Sequence, residues 1–246
     1  MTLEPGAGLF QNGRPMQALR SLGAQLAARP VGASLALGPL AACGFQPLAI
    51  WPLTILCVAA LAEIAARRPN ARTAFLAGWS FGFGHFIVGN TWIATAFAYQ
   101  AEMPPWLGGI GVVLLAGYLA IYPALATLGA WLFAARISPS GTPISGRALP
   151  FFGLAFIPFW ILTEWLRGWM FTGFAWNPLG IALLGGFDAQ GLALAAQWIG
   201  TYALSGLLVA LACALRRVIT LLPLASRPQR AALIARTLTL SAVLAA

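Results

Sequence analysis

Long apolar runs, separated by short polar connections, dominate the chain and predict its elements. A helix that crosses a bilayer needs about 20 apolar residues, because the hydrocarbon core is ~30 Å thick and an α-helix rises ~1.5 Å per residue. Six runs reach or approach that length. They are Val31–Cys43 (extended by Leu22–Ala28), Leu48–Ala66, Thr73–Ala98, Trp106–Ala135, Leu149–Trp169 and Leu192–Leu215. The pattern predicts an all-α, polytopic bundle of about six transmembrane helices.

A seventh apolar run begins near Leu233 and continues to Ala246, which is short of a full span. We read it as the start of a truncated seventh helix. The predicted organisation therefore has three parts: a cytoplasmic N-terminal segment at 1–30, a six-helix membrane domain at 31–217, and a cytoplasmic loop with the start of a seventh helix at 218–246.

Composition strengthens this interpretation. The chain is 60% hydrophobic and only 8% charged, whereas soluble domains carry about 25% charged residues. All 14 basic residues are arginines, only five acids oppose them, and the formal net charge is +9. A basic protein can bind nucleic acid. Here the arginines fall in the connections between apolar runs rather than along one polar face, so we predict no nucleic-acid partner.

The placement of the arginines predicts the orientation, because arginine-rich loops stay in the cytoplasm. Arginines occur before the first run, in every second connection and after the sixth run. They are Arg14, Arg20, Arg29, Arg67, Arg68, Arg72, Arg136, Arg147, Arg216, Arg217, Arg227, Arg230 and Arg236. The alternate connections at 44–47, 99–105 and 170–191 contain none. We therefore predict a multi-pass membrane protein with a cytoplasmic N-terminus.

The connection at 170–191 is unusual because it is long, rich in Phe, Trp and Gly, and poor in charge. Aromatic rings suit the headgroup zone, and irregular backbone at membrane depth is tolerated only where protein or a cavity surrounds it. We expect this segment to lie on the membrane surface or to re-enter the bundle.

Five residues of the third run, at spacings of four, three, four and three, would share one face of a helix. They are Gly78, Gly82, His85, Gly89 and Trp92. The glycines indicate a packing face, since Gly-x-x-x-Gly lets a neighbouring backbone approach closely. A proton relay or a substrate contact is the alternative role for His85. It is the only histidine in the chain, so we predict no metal site, and we predict no cofactor.

Glu164 and Arg167 form the most informative pair. They stand three residues apart in the fifth run, so they share a helix face and can pair. Ionisable residues inside a span are costly to insert, and Arg167 falls near the outer interface. Two interpretations stay open: a contact with a lipid headgroup or a partner domain, and an internal ion pair that locks the bundle. Asn90, near the outer end of the third run, either contacts a headgroup or bonds across helices.

Two stretches resemble the N-terminal membrane domain of bacterial apolipoprotein N-acyltransferase. They are GWSFGFGHFIVGNTWI at 78–93 and TEWLRGWMFTGFAWNPLG at 163–180. Weaker likenesses lie at 43–47 and 200–205, and the resemblance covers about residues 30–215. Ala175 and Ala203 stand where the family usually has Pro and Gly. The resemblance adds Trp92, Trp176 and Asn177 to Asn90, Glu164 and Arg167 as candidate contacts for lipid or substrate.

The resemblance implies a location in the bacterial inner membrane. It also implies an enzyme that moves an acyl chain from a membrane phospholipid to the diacylglyceryl-cysteine of a lipoprotein precursor, the last step of lipoprotein maturation. A nitrilase-like domain with a Glu–Lys–Cys triad performs that chemistry. This chain contains no lysine, so we predict no catalytic residue in it and no activity by itself. We read Cys43, Cys57 and Cys213 as small buried hydrophobes.

Whether the chain acts as an enzyme therefore depends on a nitrilase-like polypeptide, which could be a separate partner. A stand-alone lipid-binding or scaffold membrane domain is the alternative. A small-solute transporter is a weaker one, because the chain lacks the paired repeats that many transporters show.

Overall fold

The structure is a computed structural model that describes residues 29–99, 104, 106–138, 144, 148–170, 173–187 and 191–221. Within those ranges the chain forms helices joined by turns, and no strand occurs there, so the all-α prediction is confirmed for them. The predicted extension at 22–28 and the seventh apolar run lie outside the described residues.

Nine α-helices are described, together with two 3-10 helices at Leu179–Leu184 and Leu192–Ala195. The α-helices are α1 (Pro30–Ala42), α2 (Trp51–Ala66), α3 (Ala71–Gly89), α4 (Trp92–Ala98), α5 (Trp106–Leu119), α6 (Ile121–Ile137), α7 (Leu149–Trp169), α8 (Ala196–Ile199) and α9 (Thr201–Leu221). Helices α5 and α6 run end to end, because Ala120 donates to Ala116 O at 2.9 Å and accepts from Ala124 N at 3.2 Å.

Among the described residues, three helices are long and apolar enough to cross a membrane. They are Trp106–Ile137, which is α5 and α6 together, Leu149–Trp169 and Thr201–Leu221, with 32, 21 and 21 residues. Helices α1 and α2 are apolar but shorter. The count of about six spans stays a prediction.

Two of the predicted helices have different bounds. The third run does not form one helix: it breaks at Asn90 and Thr91, where the Thr91 hydroxyl donates to Val88 O at 3.1 Å. Polar side chains that bond the local backbone compete with helix continuation. Trp92 consequently belongs to α4, and the predicted five-residue face ends at Gly89. The sixth helix begins at Thr201 rather than Leu192, because Gly200 adopts a left-handed φ of 80°.

A charged cluster joins three helices at one end of the bundle, which we call the arginine end. Glu63 pairs with Arg67 and, at 2.9 Å, with Arg216, whose NH2 group also donates to Leu149 O at 3.1 Å. The prediction that Arg216 and Arg217 follow the sixth helix is wrong, since both lie inside α9. Because Glu63 compensates the buried Arg216 charge, the helix can continue past its apolar run.

The C-terminal part of α6 reaches the same end. The Trp131 indole donates to Arg68 O at 3.0 Å, and Arg68 Nε donates to Ile64 O at 2.9 Å. Burial lowers the pKa of the Arg68 guanidinium from its ordinary value. The ends of α2, α6 and α9 and the start of α7 therefore meet at the arginine end.

Close glycine contacts bring α3 against two neighbours. A Cβ atom on Gly84 would lie 2.7 Å from Pro39 Cδ in α1. On the α6 side, a Cβ atom on Gly82 would lie 2.9 Å from the Ala120 Cα atom, and one on Gly78 would lie 2.8 Å from the Ala124 Cα atom. Helix α3 is thus the central element that sets the spacing of α1 and α6.

Candidate functional site

The Glu164 carboxylate is the centre of a polar cluster at the end of the bundle opposite the arginine end. It lies in the second-last turn of α7 and is 1% exposed. Its Oε1 atom accepts from Leu179 N at 2.8 Å and from Trp160 Nε1 at 3.3 Å. Glu164 therefore fastens the segment that follows α7 back onto the helix.

Arg167 completes an internal ion pair, with NH2 at 3.3 Å from Glu164 Oε1. The guanidinium is 2% exposed, and its Cζ atom lies 5.0 Å from the centroid of the Phe86 ring in α3. A cation over an aromatic face is attracted by the ring quadrupole. The pairing that the three-residue spacing predicts is therefore present, and both partners are covered by protein.

The segment at 173–187 enters the bundle. Its 3-10 helix buries Leu179, Gly180, Ala182 and Leu183. Gly180 N donates to Ser205 Oγ in α9 at 2.8 Å, and Asn177 Nδ2 donates to Gly89 O at the end of α3 at 3.1 Å. The expectation that this connection re-enters the bundle is confirmed for Leu179–Leu184.

Two residues of that segment have a backbone conformation that non-glycine residues rarely adopt. Trp176 and Asn177 have φ values of 42° and 49°, and such positions are sparsely populated for side chains of this size. They persist because neighbouring contacts hold them. The Asn177 bond to Gly89 is one, and Trp176 packs against a cluster that contains Phe86.

The other sequence-predicted residues divide into two groups. Asn90 is fully buried at the end of α3, whereas Trp92 is 56% exposed and stands apart from the cluster. His85 packs among Phe45, Phe81 and Phe86, with ring centroids 5.2 to 6.1 Å apart. Its backbone also lies against α1, since a Cβ atom on Gly38 would lie 2.5 Å from His85 N.

Several buried polar atoms of this end have no hydrogen-bond partner among the described residues. They are His85 Nδ1, both amide atoms of Asn90, Glu164 Oε2 and Arg167 Nε. A buried polar group without a partner costs about 1–3 kcal/mol. The cluster can both donate and accept hydrogen bonds, but none of the side chains described in it carries a thiol.

Sequence reasoning missed four residues that contribute to this end. Ser205 anchors Gly180, the Gln46 side chain donates to Gly185 O, and the Tyr118 and Tyr122 hydroxyls meet at 2.6 Å. Ser205 and Gln46 had a signal, since they lie in the weakly matching stretches at 200–205 and 43–47, whereas the two tyrosines had none. The Ser205 and Gln46 contacts join segments far apart in the chain, which periodicity does not reveal.

The three cysteines are free thiols outside this cluster. Cys57 is buried, as expected of a small hydrophobe. Cys43 and Cys213 are only half-buried, so that part of the prediction is wrong for them. Cys213 packs against the hydrophobic core, and Cys43 is the C-cap residue of α1.

Comparison with known proteins identifies the family. The family described as apolipoprotein N-acyltransferase N-terminal domain matches residues 37–214. The chain belongs to this family. An apolipoprotein N-acyltransferase of Ralstonia nicotianae is 35% identical over 178 residues, which is 72% of this chain and 32% of that protein. One of Chromobacterium violaceum is 40% identical over 136 residues, which is 55% of this chain and 24% of that protein.

A third relative, the apolipoprotein N-acyltransferase of Pseudomonas putida, is 32% identical over 185 residues, which is 75% of this chain and 34% of that protein. The matched part of this chain thus spans about a third or less of the length of these bacterial relatives. The resemblance carried by the stretches at 78–93 and 163–180 is confirmed, and the chain is a membrane domain of the acyltransferase family.

Proposed function

We propose that this chain is the membrane part of an enzyme of the bacterial inner membrane that N-acylates lipoproteins. The acyl carbonyl carbon would leave the glycerol oxygen of a phospholipid and form an amide with the α-amino nitrogen of a diacylglyceryl-cysteine, which releases a lysophospholipid. The family match over residues 37–214 is the observation that carries this proposal. No observation favours the stand-alone scaffold.

The covalent step is proposed to belong to a nitrilase-like polypeptide, joined to this chain or separate from it. The polar cluster around Glu164 offers no thiol, and the chain contains no lysine for a Glu–Lys–Cys triad. A thioester intermediate therefore needs a nucleophile from elsewhere.

The role proposed for the cluster is to hold a platform that faces the donor phospholipid and the catalytic part. Glu164, which is paired with Arg167, and Ser205 would fix the segment at 173–187 from beneath, and Asn177 would tie it to the end of α3. Exposed aromatic rings lie around it. They are Trp92, Trp169 and Phe174, which are 56%, 72% and 51% exposed. Such rings suit the headgroup zone of a bilayer, and Trp176 would join them at the lipid-facing edge.

A domain exchange tests the reaction. The chain alone, in phospholipid vesicles with a diacylated cysteine peptide, should give no detectable N-acylated product. A chimera in which residues 37–214 replace the matched part of the Ralstonia nicotianae relative should restore transfer, with that full-length relative as the positive control. Product is measured by mass spectrometry of the peptide. Turnover by the chain alone, or an inserted but inert chimera, would contradict the proposal.

The orientation has its own test, in a variant whose native cysteines are replaced by alanine. Ser138→Cys, just after α6 at the arginine end, should react with an impermeant maleimide only from the cytoplasmic side. Phe187→Cys, which is 81% exposed at the opposite end, should react only from the outside. Labelling with the sides reversed would refute a cytoplasmic N-terminus.

A further inference from the structure

An apolar crevice opens between α6 and α7 in the half of the bundle nearest the arginine end. Its volume is about 380 Å³, and its lining residues are Phe133, Leu154, Ala155, Pro158, Phe159 and Leu162. Leu154, Phe133 and Leu162 are 63%, 47% and 47% exposed, so the crevice faces outward from the bundle. Every lining side chain is a hydrocarbon.

An unpaired arginine stands next to this crevice. Arg136 lies three residues after Phe133 on α6, which places the two side chains on one face one turn apart. It is exposed and has no carboxylate partner among the described residues. Glu63, the acid described at this end, is already paired with Arg67 and Arg216.

We propose that the crevice and Arg136 together bind one anionic phospholipid of the leaflet at the arginine end. An acyl chain lies along Phe133, Leu154 and Leu162, and the phosphate contacts the Arg136 guanidinium. A phospholipid carries its charged phosphate at the membrane surface and its acyl chains deeper in the bilayer. Arg136 stands nearer the helix end than the crevice does, so the charge and the hydrocarbon surface occur in the same order. A guanidinium and a phosphate form a charge-assisted hydrogen bond.

This site differs from the platform around Glu164, because it lies towards the other end of the bundle. Binding there needs no acyl transfer and no further polypeptide. The inference therefore goes beyond the proposed function, and its failure would leave the acyl-transfer experiment unaffected.

The test uses the purified chain in neutral detergent, titrated with dioleoyl phosphatidylglycerol or dioleoyl phosphatidylcholine and read by native mass spectrometry. The wild-type chain should retain one phosphatidylglycerol in preference to phosphatidylcholine. Arg136→Gln should weaken phosphatidylglycerol binding about fivefold, as expected for one arginine near an anionic surface. Leu154→Trp, which fills the crevice, should reduce the binding of both lipids.

Two matched variants separate the site from general effects. Arg217→Gln removes another exposed arginine of the same end, and Leu114→Trp adds an indole at another exposed position, on α5; both should bind like wild type. Inorganic phosphate at the same concentration should neither bind nor compete, which distinguishes a lipid from a free anion. If Leu154→Trp does not fold, Leu162→Trp tests the deeper part of the crevice. Equal losses in the matched variants, or unchanged binding in Arg136→Gln, would overturn the proposal.

Discussion

Glu164→Ala is expected to destabilise the protein by about 3–5 kcal/mol, the range measured when one partner of a buried ion pair is removed. The substitution leaves the Arg167 guanidinium, which is 2% exposed, without a counter-charge. It also removes the acceptor of the Leu179 N–H bond. The unfolding midpoint of the purified chain in detergent measures the effect.

Two further variants separate charge from hydrogen bonding. Glu164→Gln keeps an oxygen that can accept from Leu179 N but loses the charge, so its loss should be smaller than that of Glu164→Ala. Glu164→Leu combined with Arg167→Met should recover much of the stability, because a hydrophobic pair of similar volume often replaces a buried ion pair without loss. A double variant as unstable as Glu164→Ala would show that the pair is not the main contribution.

The same substitution has a local signature. Hydrogen exchange at the Leu179 amide should accelerate more than exchange at the Gly180 amide, which Ser205 holds independently at 2.8 Å. Equal acceleration along the whole of α7 would indicate global unfolding rather than release of the 173–187 segment.

The Glu164–Arg167 pair could be predicted from the sequence because its physical basis is local. Two opposite charges three residues apart on one helix are neighbours in any fold that keeps the helix. The alternation of arginine-rich and arginine-free connections is also a local signal. In the structure, contacts between Trp131 and Arg68 and between Arg216 and Glu63 bring several arginine-bearing helix ends together.

Features that depend on distant segments could not be predicted in the same way. No spacing in the sequence indicates a partner for Glu63, because its partner Arg216 lies 153 residues further along the chain. The break at Asn90 was also missed, because the apolar run continues on both sides of it. Whether the buried polar atoms of Asn90 and Arg167 find a hydrogen-bond partner among the described residues depends on how three elements pack. Residue spacing within one helix does not describe that packing.

The glycines of α1 and α3 show most clearly that contacts between distant segments cannot be predicted from sequence spacing. Gly78 and Gly82 have the Gly-x-x-x-Gly spacing and lie against α6. The tighter backbone contact is between α1 and α3 at Gly38 and Gly84, and neither glycine belongs to such a pair within its own helix. A Cβ atom on Gly38 would lie 2.3 Å from Phe81 O and 2.5 Å from His85 N, both backbone atoms of α3. The spacing rule identifies one helix face, whereas this contact needs the register of two helices.

Gly84→Ala is therefore expected to be among the most harmful small substitutions in the chain. The new Cβ atom would meet Leu35 O at 2.5 Å and Pro39 Cδ at 2.7 Å. Both are backbone or ring atoms that cannot rotate away, so α1 must move from α3. Overpacking of this kind costs about 1–3 kcal/mol and occasionally more, and the backbone contact favours the upper end. The thermal unfolding midpoint in detergent is the measurement.

Gly32→Ala is the matched control, because a Cβ atom there meets nothing within 4 Å. It lies on α1, one of the two helices of this contact, and makes the same chemical change. Alanine is favoured over glycine within helices by roughly 1 kcal/mol, so Gly32→Ala should be neutral or slightly stabilising. Equal unfolding temperatures for Gly84→Ala and Gly32→Ala would show that α1 and α3 are not packed backbone to backbone. The position of His85 beside Gly38 would then be wrong as well.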